Sequence, residues 1–429
     1  MVMRQTVIIT GAGAAGLMAA TRLRHNFYVI ILEAQARIGG RIHSQLCESG
    51  IIEAGAEFVH GKLPVTLGLL KEAGIAYEEV DGEMYRRKNG QLTIAGEMIE
   101  GWGELMKKME AVKEDITMQQ LLDIHYAGNQ YAQLRTHAKN YAAGFDLADI
   151  KTASVQSLYK EWNAEQEKNY RIPGGYGKMI EHLQQQLTAS GCKIYTDTIA
   201  KEVHWQAGSV EVLARNGEKY YGEKLLLTVP VSVFQQADSA ASIRFTPGIH
   251  FDSRTADDIG FGAVVKVAIK FRHACWPDNA GFMFSDELFP TWWTQSPDAT
   301  PLLTGWAGGP NAVELSSQTD EMILETALSS LSNILDKPVS FLKENIEYCR
   351  VFNWQTNEFI KGGYSFSTPL SREARNLIKT PLDGTLFFAG EALYEGDHPG
   401  TVEAALVSGI ETSELIHNSG VTRNRASNS

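Results

Sequence analysis

Thr6-Val7-Ile8-Ile9-Thr10-Gly11-Ala12-Gly13-Ala14-Ala15-Gly16 begins a unit that runs on through the helix-prone Leu17 to His25 and a second apolar run, Phe27 to Leu32, ending on Glu33. The order is strand, glycine turn, helix, strand, acid, which opens a doubly wound α/β domain of the Rossmann-like kind. Gly11 permits the tight turn, Gly13 leaves bare backbone for a pyrophosphate, and Gly16 lets the helix approach the strand. Ala14 and Ala15 start the helix, whose free N–H groups and positive dipole end suit phosphate. Glu33 follows the first glycine by about 20 residues, where a carboxylate bonds both hydroxyls of an adenosine ribose. An unphosphorylated ribose is implied, so FAD or NAD is expected over NADP, and the motif alone does not separate those two.

The whole chain has 429 residues, 44% hydrophobic and 21% charged, the composition of a soluble globular protein with core enough for two or three domains. A net charge of −12 argues against a basic nucleic-acid-binding face and mildly favours cationic small molecules. Cys47, Cys192, Cys275 and Cys349 are far apart and include no CxxC pair, so neither a disulfide framework nor a zinc site is expected. No apolar run approaches the roughly 18 residues of a membrane span. With the glycine motif so close to the start, no cleavable signal is expected either, and a cytoplasmic location follows. Thr422 to Ser429 reads as a frayed polar tail.

Beyond Glu33, Ala34 leads into Arg37-Ile38-Gly39-Gly40-Arg41-Ile42, flexible backbone between two guanidinium forks suited to anionic phosphate. In Gly55-Ala56-Glu57-Phe58-Val59-His60-Gly61 the small residues allow close approach to a flat ring. Pro64 to about Trp162 reads as amphipathic helices, with Met106, Met109, Val112 and Ile116 spaced as one helix face. Arg171 to Lys178 is a glycine-dense turn opening a helix through Leu187, and Lys193 to Pro230 reads as a small antiparallel sheet. Gly262 to Phe271 is a strand that sets Lys266 among β-branched residues, where an ammonium needs a partner or must lose its proton. Lys270, in the same run, reads as an edge-strand lysine facing solvent. Asn353-Trp354-Gln355 and Lys361-Gly362-Gly363-Tyr364-Ser365 come next. A strand from Leu386 then ends in Gly390-Glu391, and His398-Pro399-Gly400-Thr401-Val402-Glu403 opens a last helix. Glu395, Asp397 and His398 do not amount to a metal site, because nothing completes a ligand set.

Together, GAGAAG with Glu33, GGRI at Gly39 to Ile42 and GAEFVHG at Gly55 to Gly61 resemble the flavin-containing amine oxidase family, which includes monoamine oxidases, polyamine oxidases and flavin-dependent histone lysine demethylases. The resemblance implies FAD. It puts Arg41, Gly39 and Gly40, with Arg37, at the diphosphate, and Gly55, Ala56, Glu57 and Phe58 beside the isoalloxazine. His60 and Phe58 are then substrate contacts, the backbone of Val203 touches adenine, and Thr228 to Pro230 closes that layer. By the same resemblance Lys266 holds a water against flavin N5. Trp354 and Tyr364 stand against the flavin, Tyr364 forming one wall of an aromatic cage that suits a cationic amine. Gly390 and Glu391 meet the ribityl and diphosphate region, while Gly400, Thr401 and Val402 support the pyrimidine end, with Thr401 and His398 near the substrate.

Three departures from the family's patterns carry information. Gly363 stands where monoamine oxidases have the cysteine that bonds the flavin, so non-covalent FAD is expected. Thr401 stands where they have a second cage tyrosine, which leaves that wall open. Glu57-Phe58 supplies no arginine for a substrate carboxylate, which disfavours amino acids. The implied architecture is an FAD domain from residues 1–62, 170–245 and 378–429, with an α+β substrate domain from 63–169 and 246–377. The implied reaction is oxidation of a small-molecule amine with dioxygen as acceptor, without metal, nucleic acid or membrane. Two other functions remain open: an FAD-dependent oxidase or desaturase acting on a porphyrinogen, a carotenoid or an amino acid, and a non-catalytic, FAD-stabilised binding protein.

Overall fold

In the computed structural model, which describes residues 4–47, 50–88, 90–95, 100–164, 168–236 and 239–426, the opening strand Thr6–Thr10 is the centre of a five-stranded sheet. Its order is Lys193–Tyr195, Tyr28–Leu32, Thr6–Thr10, Lys224–Leu227, Leu386–Phe388, and every neighbouring pair is parallel. Parallel strands are covered on both faces, which is why Val7 to Ile9 and Leu225 to Leu227 are unbroken apolar runs, all of them buried. One face packs against the helices Ala14–Leu23, Gly177–Ala189 and Val402–Ala426. The other carries a four-stranded sheet, Lys219–Gly222, Ser209–Ala214, Ala200–Gln206 and Arg244–Thr246, whose Val203, Val210 and Val212 pack under Ile8 and Leu225.

The small-sheet expectation for Lys193 to Pro230 therefore needs dividing. Its middle forms the antiparallel layer, while Lys193–Tyr195 and Lys224–Leu227 join the parallel sheet instead. Lys224–Leu227 is an interior strand buried along its length, whereas Lys193–Tyr195 is the edge strand, with Lys193 exposed and Ile194 and Tyr195 half-buried.

A second, seven-stranded sheet has the order Ile346–Asn353, Val264–Phe271, Leu302–Gly308, Thr291–Trp293, Ala280–Phe284, Glu83–Lys88, Gln91–Ile94. One of its faces packs Val265, Val267, Ile269 and Leu303 against Ile323, Leu328 and Leu331 of the helix Asp320–Leu335. Four helices, Trp102–Glu110, Met118–His125, Ala132–Phe145 and Val155–Ala164, share a separate core.

Three expectations are corrected here. The stretch after Pro64 is not wholly helical, because Glu83–Lys88 and Gln91–Ile94 pair as a hairpin that extends the large sheet. The helix carrying Met106 and Met109 ends at Glu110, so Val112 and Ile116 join the same core from the segment beyond it. Lys270 lies on an interior strand between Leu302–Gly308 and Ile346–Asn353 and pairs with Glu347 at 3.5 Å. At the C-terminus the last helix runs to Ala426, into the stretch expected to fray, and residues 427–429 lie outside the described residues. All four cysteines are free, and among the described residues no helix is long and apolar enough to cross a membrane.

A buried carboxylate joins the last helix to an early one. Glu403, 1% exposed, accepts the Val65 and Thr66 N–H groups at 2.8 and 2.6 Å and the Thr66 hydroxyl at 2.7 Å. Those N–H groups open the helix Pro64–Glu72, which has no side-chain cap of its own. Glu403→Ala is expected to lower unfolding free energy by about 2–3 kcal/mol in denaturant titration, since three buried donors lose their acceptor. Glu411→Ala, exposed on the same helix, should stay within about 0.5 kcal/mol of wild type, and equal effects from the two would refute the capping role.

Candidate active site

The glycine turn after Thr6–Thr10 forms an open cradle. Gly11 has φ +106°, a conformation that L side chains rarely adopt, and a Cβ on Gly16 would lie 2.0 Å from the Gly11 carbonyl. A Cβ on Gly13 would meet nothing within 4 Å, so bare backbone faces open space there. Gly13 also caps the helix Ala14–Leu23 without any side-chain hydrogen bond, which leaves its first N–H groups for an anion. Glu33, at the end of Tyr28–Leu32, accepts the Ala12 and Gln35 N–H groups at 2.7 and 2.9 Å. Burial raises its carboxyl pKa against the opposing pull of those two bonds and of Arg37. Ala34 follows Glu33 at the same strand end.

Arg37 is bound to its own loop, donating to the carbonyls of Gly40 at 2.7 Å and of Ile38 and Ile42 at 3.3 Å. It holds the Gly39-Gly40 turn in place beside Gly13, to which Gly39 is bridged. Arg41 reaches across the chain instead. Its Nη1 donates to Glu391 at 2.7 Å and to the Gly363 carbonyl at 2.8 Å, and Glu391 also accepts the Ser365 N–H at 3.0 Å. Arg41, Thr228 to Val231 and Ala389 to Leu393, Pro230 and Gly390 among them, border one crevice where the parallel strands end. Val203 lies apart from this crevice, fully buried in the layer beneath the sheet between Val212 and Phe245.

Lys266 projects from Val264–Phe271 and is 1% exposed. Its Nζ lies 2.6 Å from Glu57 and 3.4 Å from the Gly55 carbonyl, with the Trp293 ring centroid 5.4 Å away. Glu57 is shared: Arg171 donates to it at 3.0 Å and the Trp293 indole at 2.9 Å. Burial pushes the Glu57 pKa up, but Lys266 and Arg171, with the bonds from Lys266 and Trp293, hold it below the ordinary value. Gly55 is wedged, since a Cβ there would lie 1.9 Å from the Arg41 carbonyl and 3.2 Å from the Trp354 ring. Trp354 in turn donates its indole N–H to the Ala54 carbonyl at 2.8 Å. Lys266, Glu57, Gly55 and Trp354 are thus linked, while Ala56 packs on the core beneath the glycine turn; sequence reasoning did not find Glu57 as the lysine's counterion or Arg171 as that carboxylate's second partner.

Tyr364 shares an apolar cluster with Trp354, Trp306 and Phe352, and its hydroxyl donates to the Phe145 carbonyl. Burial, then the carboxyls of Asp146, Glu161 and Glu391, push its phenol well above the ordinary value, so it stays protonated. Gly400, φ +70°, lies beneath the ring, where a Cβ would come within 2.9 Å of Tyr364. Thr401 is the cap of the last helix: its hydroxyl accepts the Ala404 N–H at 3.2 Å and donates to the His398 carbonyl at 2.7 Å. Val402 begins that helix, and His398 takes part in the turn through its backbone. Phe58 meets Trp293 edge to face at 5.5 Å and lies under Arg171. His60 bonds Asn169 at 2.9 Å, and the protein packed around its ring lowers its pKa against the opposing pull of that bond. Among the described residues no His, Cys, Asp or Glu group forms a metal site.

A family model described as flavin containing amine oxidoreductase matches residues 14–417. The chain belongs to that family. Human lysine-specific histone demethylase 2 is 26% identical over 453 residues, covering 96% of this chain and 53% of that protein. Polyamine oxidase 3 of Oryza sativa subsp. japonica is 26% identical over 451 residues, covering 95% and 88%. The chain therefore spans about half the length of the demethylases it matches. Wild-type putrescine oxidase bound to putrescine shares the fold with a TM-score of 0.81 at 19% identity, covering 97% of this chain and 99% of that one. Cyclohexylamine oxidase from Brevibacterium oxydans does so with a TM-score of 0.79 at 17% identity, covering 96% and 99%. The α/β fold expected from the glycine motif and the family expected from the three motifs both hold.

The ion cluster sets a pH-dependent term in stability. Glu57 has a folded pKa below its ordinary 4.5, so its contribution is present above that value and lost as pH falls through the folded one. Thermal melts of Glu57→Gln should show a loss of about 3–5 kcal/mol at neutral pH, because the variant removes the carboxylate that Lys266, Arg171 and the Trp293 indole share in a buried site. The gap to wild type should narrow on acidification below pH 4.5. A variant melting like wild type at neutral pH would show that the cluster does not hold these segments together.

Proposed function

We propose that this chain is an FAD-dependent amine oxidase, and the observation that carries the reading is Lys266 buried against Glu57 beside Trp354 and Tyr364. The open glycine cradle and the uncapped helix fit a dinucleotide: Gly11, Gly13, Ala14, Ala15 and Gly16 with Arg41 would hold the diphosphate, and Glu33 the ribose. Gly390, Glu391 and Thr401 would hold the remainder from the other end of the chain. FAD, when bound, supplies the two-electron acceptor that takes a hydride from the amine α-carbon and passes electrons to dioxygen, giving hydrogen peroxide and an imine that water hydrolyses.

The protein's part is binding and orientation, with no strong base required. An ammonium has three donors; Lys266 directs them toward Glu57 and the Gly55 carbonyl, which leaves one for a water. Tyr364, kept protonated and pinned through Phe145, offers a ring face of fixed orientation to the amine. Trp354 walls the same cluster. Glycine at position 363 supplies no sulfur for a covalent flavin link, so the cofactor is non-covalent in this reading.

Purified protein should show a flavin absorption spectrum whose chromophore is released by denaturation, and a broad amine panel should yield peroxide. Absence of flavin, or of peroxide with every amine, would overturn the reading. Lys266→Met should retain FAD yet slow flavin reduction or reoxidation by about 10²-fold in stopped flow; unchanged rates would remove Lys266 from the chemistry.

A further inference from the structure

The helix Ala132–Phe145 ends against the site, and rings of the site take up its last carbonyls. The Gly144 carbonyl accepts the Trp306 indole N–H at 2.8 Å, and the Phe145 carbonyl accepts the Tyr364 hydroxyl. Such carbonyls find no partner within a helix, so the two donors cap it and are themselves given a direction. The chain then turns at Leu147, φ +56°, with the Ala148 N–H bonded to the Ala142 carbonyl at 2.9 Å. A left-handed residue at a helix end is ordinarily glycine. Here the glycines stand opposite: a Cβ on Gly262, Gly308 or Gly363 would lie 2.2, 2.6 or 2.4 Å from the Leu147 side chain. Leu147, 1% exposed, is thus keyed into backbone next to Tyr364, and that fit holds the strain at its φ.

Asp146 lies between Phe145 and Leu147, 2% exposed, and its carboxyl is half satisfied. Oδ2 accepts the Trp162 indole N–H at 2.8 Å, while Oδ1 is buried with no hydrogen-bond partner among the described residues. Beside it, within reach of a shared proton, is the carboxyl of Glu161 on the helix Val155–Ala164, which accepts the Ser157 hydroxyl at 3.2 Å. Two ionised carboxylates offer each other no donor, whereas a proton between them satisfies both. Burial, then the charge of Glu161, raises the Asp146 carboxyl well above its ordinary value. Burial raises Glu161 too, against its bonds to Asp146 and Ser157 and the pull of Arg375, and Glu391 adds to the rise. Arg375, from the helix Ser371–Lys379, is itself bonded to the Ala392 carbonyl at 2.8 Å and to Ser367 at 2.9 Å, and Glu391 is paired with Arg41. The pair therefore keeps a proton at neutral pH and loses it on alkalinisation.

We infer that Asp146 and Glu161 are positioning residues for Tyr364: the proton that they share fixes the helix corner at residues 144–147, and the corner fixes the ring that meets the amine. The inference rests on the amine oxidase reading above, in which Tyr364 offers its face to the substrate. Without the proton, two like charges would face each other in a buried space at the negative end of a helix dipole. Their separation moves Asp146, and with it the neighbouring Phe145 carbonyl that anchors the tyrosine hydroxyl.

The test reads the amine Kd and the limiting rate of anaerobic flavin reduction in the holoenzyme, using whichever of benzylamine, hexylamine, putrescine and spermine reduces it fastest. Asp146→Ala and Glu161→Ala should each raise Kd by about tenfold, the scale of one lost hydrogen bond, with FAD retained. In a Tyr364→Phe background, which has no hydroxyl to anchor, either change should alter Kd by less than about twofold. Asp146→Asn and Glu161→Gln should hold Kd within about threefold of wild type, since an amide N–H takes the place of the proton. The ratio of wild-type to Asp146→Asn Kd, in which the amine's own titration cancels, should rise as pH is raised above neutral. Alanine changes without effect, or with equal effects in the presence and absence of the Tyr364 hydroxyl, would overturn the positioning role and leave amine oxidation standing. A ratio flat in pH would overturn it as well, and decides by itself where an alanine variant does not retain FAD. Flavin that no amine reduces would overturn the amine oxidase reading and the positioning role with it.

Discussion

The ion cluster of Lys266, Glu57 and Arg171 is the contact on which the arrangement of the site depends. A buried ammonium or guanidinium without a carboxylate costs several kcal/mol, and a buried carboxylate without either costs as much. The three come from separate parts of the chain, the segment after Gly55, the strand Asn169–Arg171 and the large sheet. Glu57 receives both its cationic partners only when all three segments have docked, so the pairing couples assembly of the site. It also fixes the lysine's head against the Gly55 carbonyl, within reach of the Trp354 and Tyr364 cluster.

The same device recurs along the chain. Glu391 ties Arg41 of the first segment to Ser365, Glu403 caps the helix after Pro64 from the start of the last helix, and Glu33 braces the glycine turn through the Ala12 N–H. Each acid satisfies donors that would otherwise be stranded at a strand end or a helix start. This explains how strands and helices distant in sequence are held at a single crevice without disulfides or, among the described residues, a metal cluster.

How much was legible differs by element. The glycine cradle was readable because its requirement is local: a positive φ at Gly11 and a close approach at Gly16 allow no side chain. Lys266 was readable as an anomaly, a charge in an apolar strand. Its partner was not, because a glutamate in GAEFVHG has the same local pattern whether it faces solvent, cofactor or a lysine 209 positions away. The hairpin at Glu83–Lys88 and Gln91–Ile94 was missed since its pairing with Ala280–Phe284 is what makes it a strand.

The sequence by itself determined the α/β class, the family and the glycine cradle after the first strand, because each rests on short-range backbone constraints. Only the tertiary structure decided that Glu57 joins Lys266 to Arg171, and that Arg37 is bound to its own loop while Arg41 spans the crevice. Those outcomes depend on which buried charges and rings find partners across hundreds of residues, and electrostatic and packing complementarity of that range has no signature within any single stretch of chain.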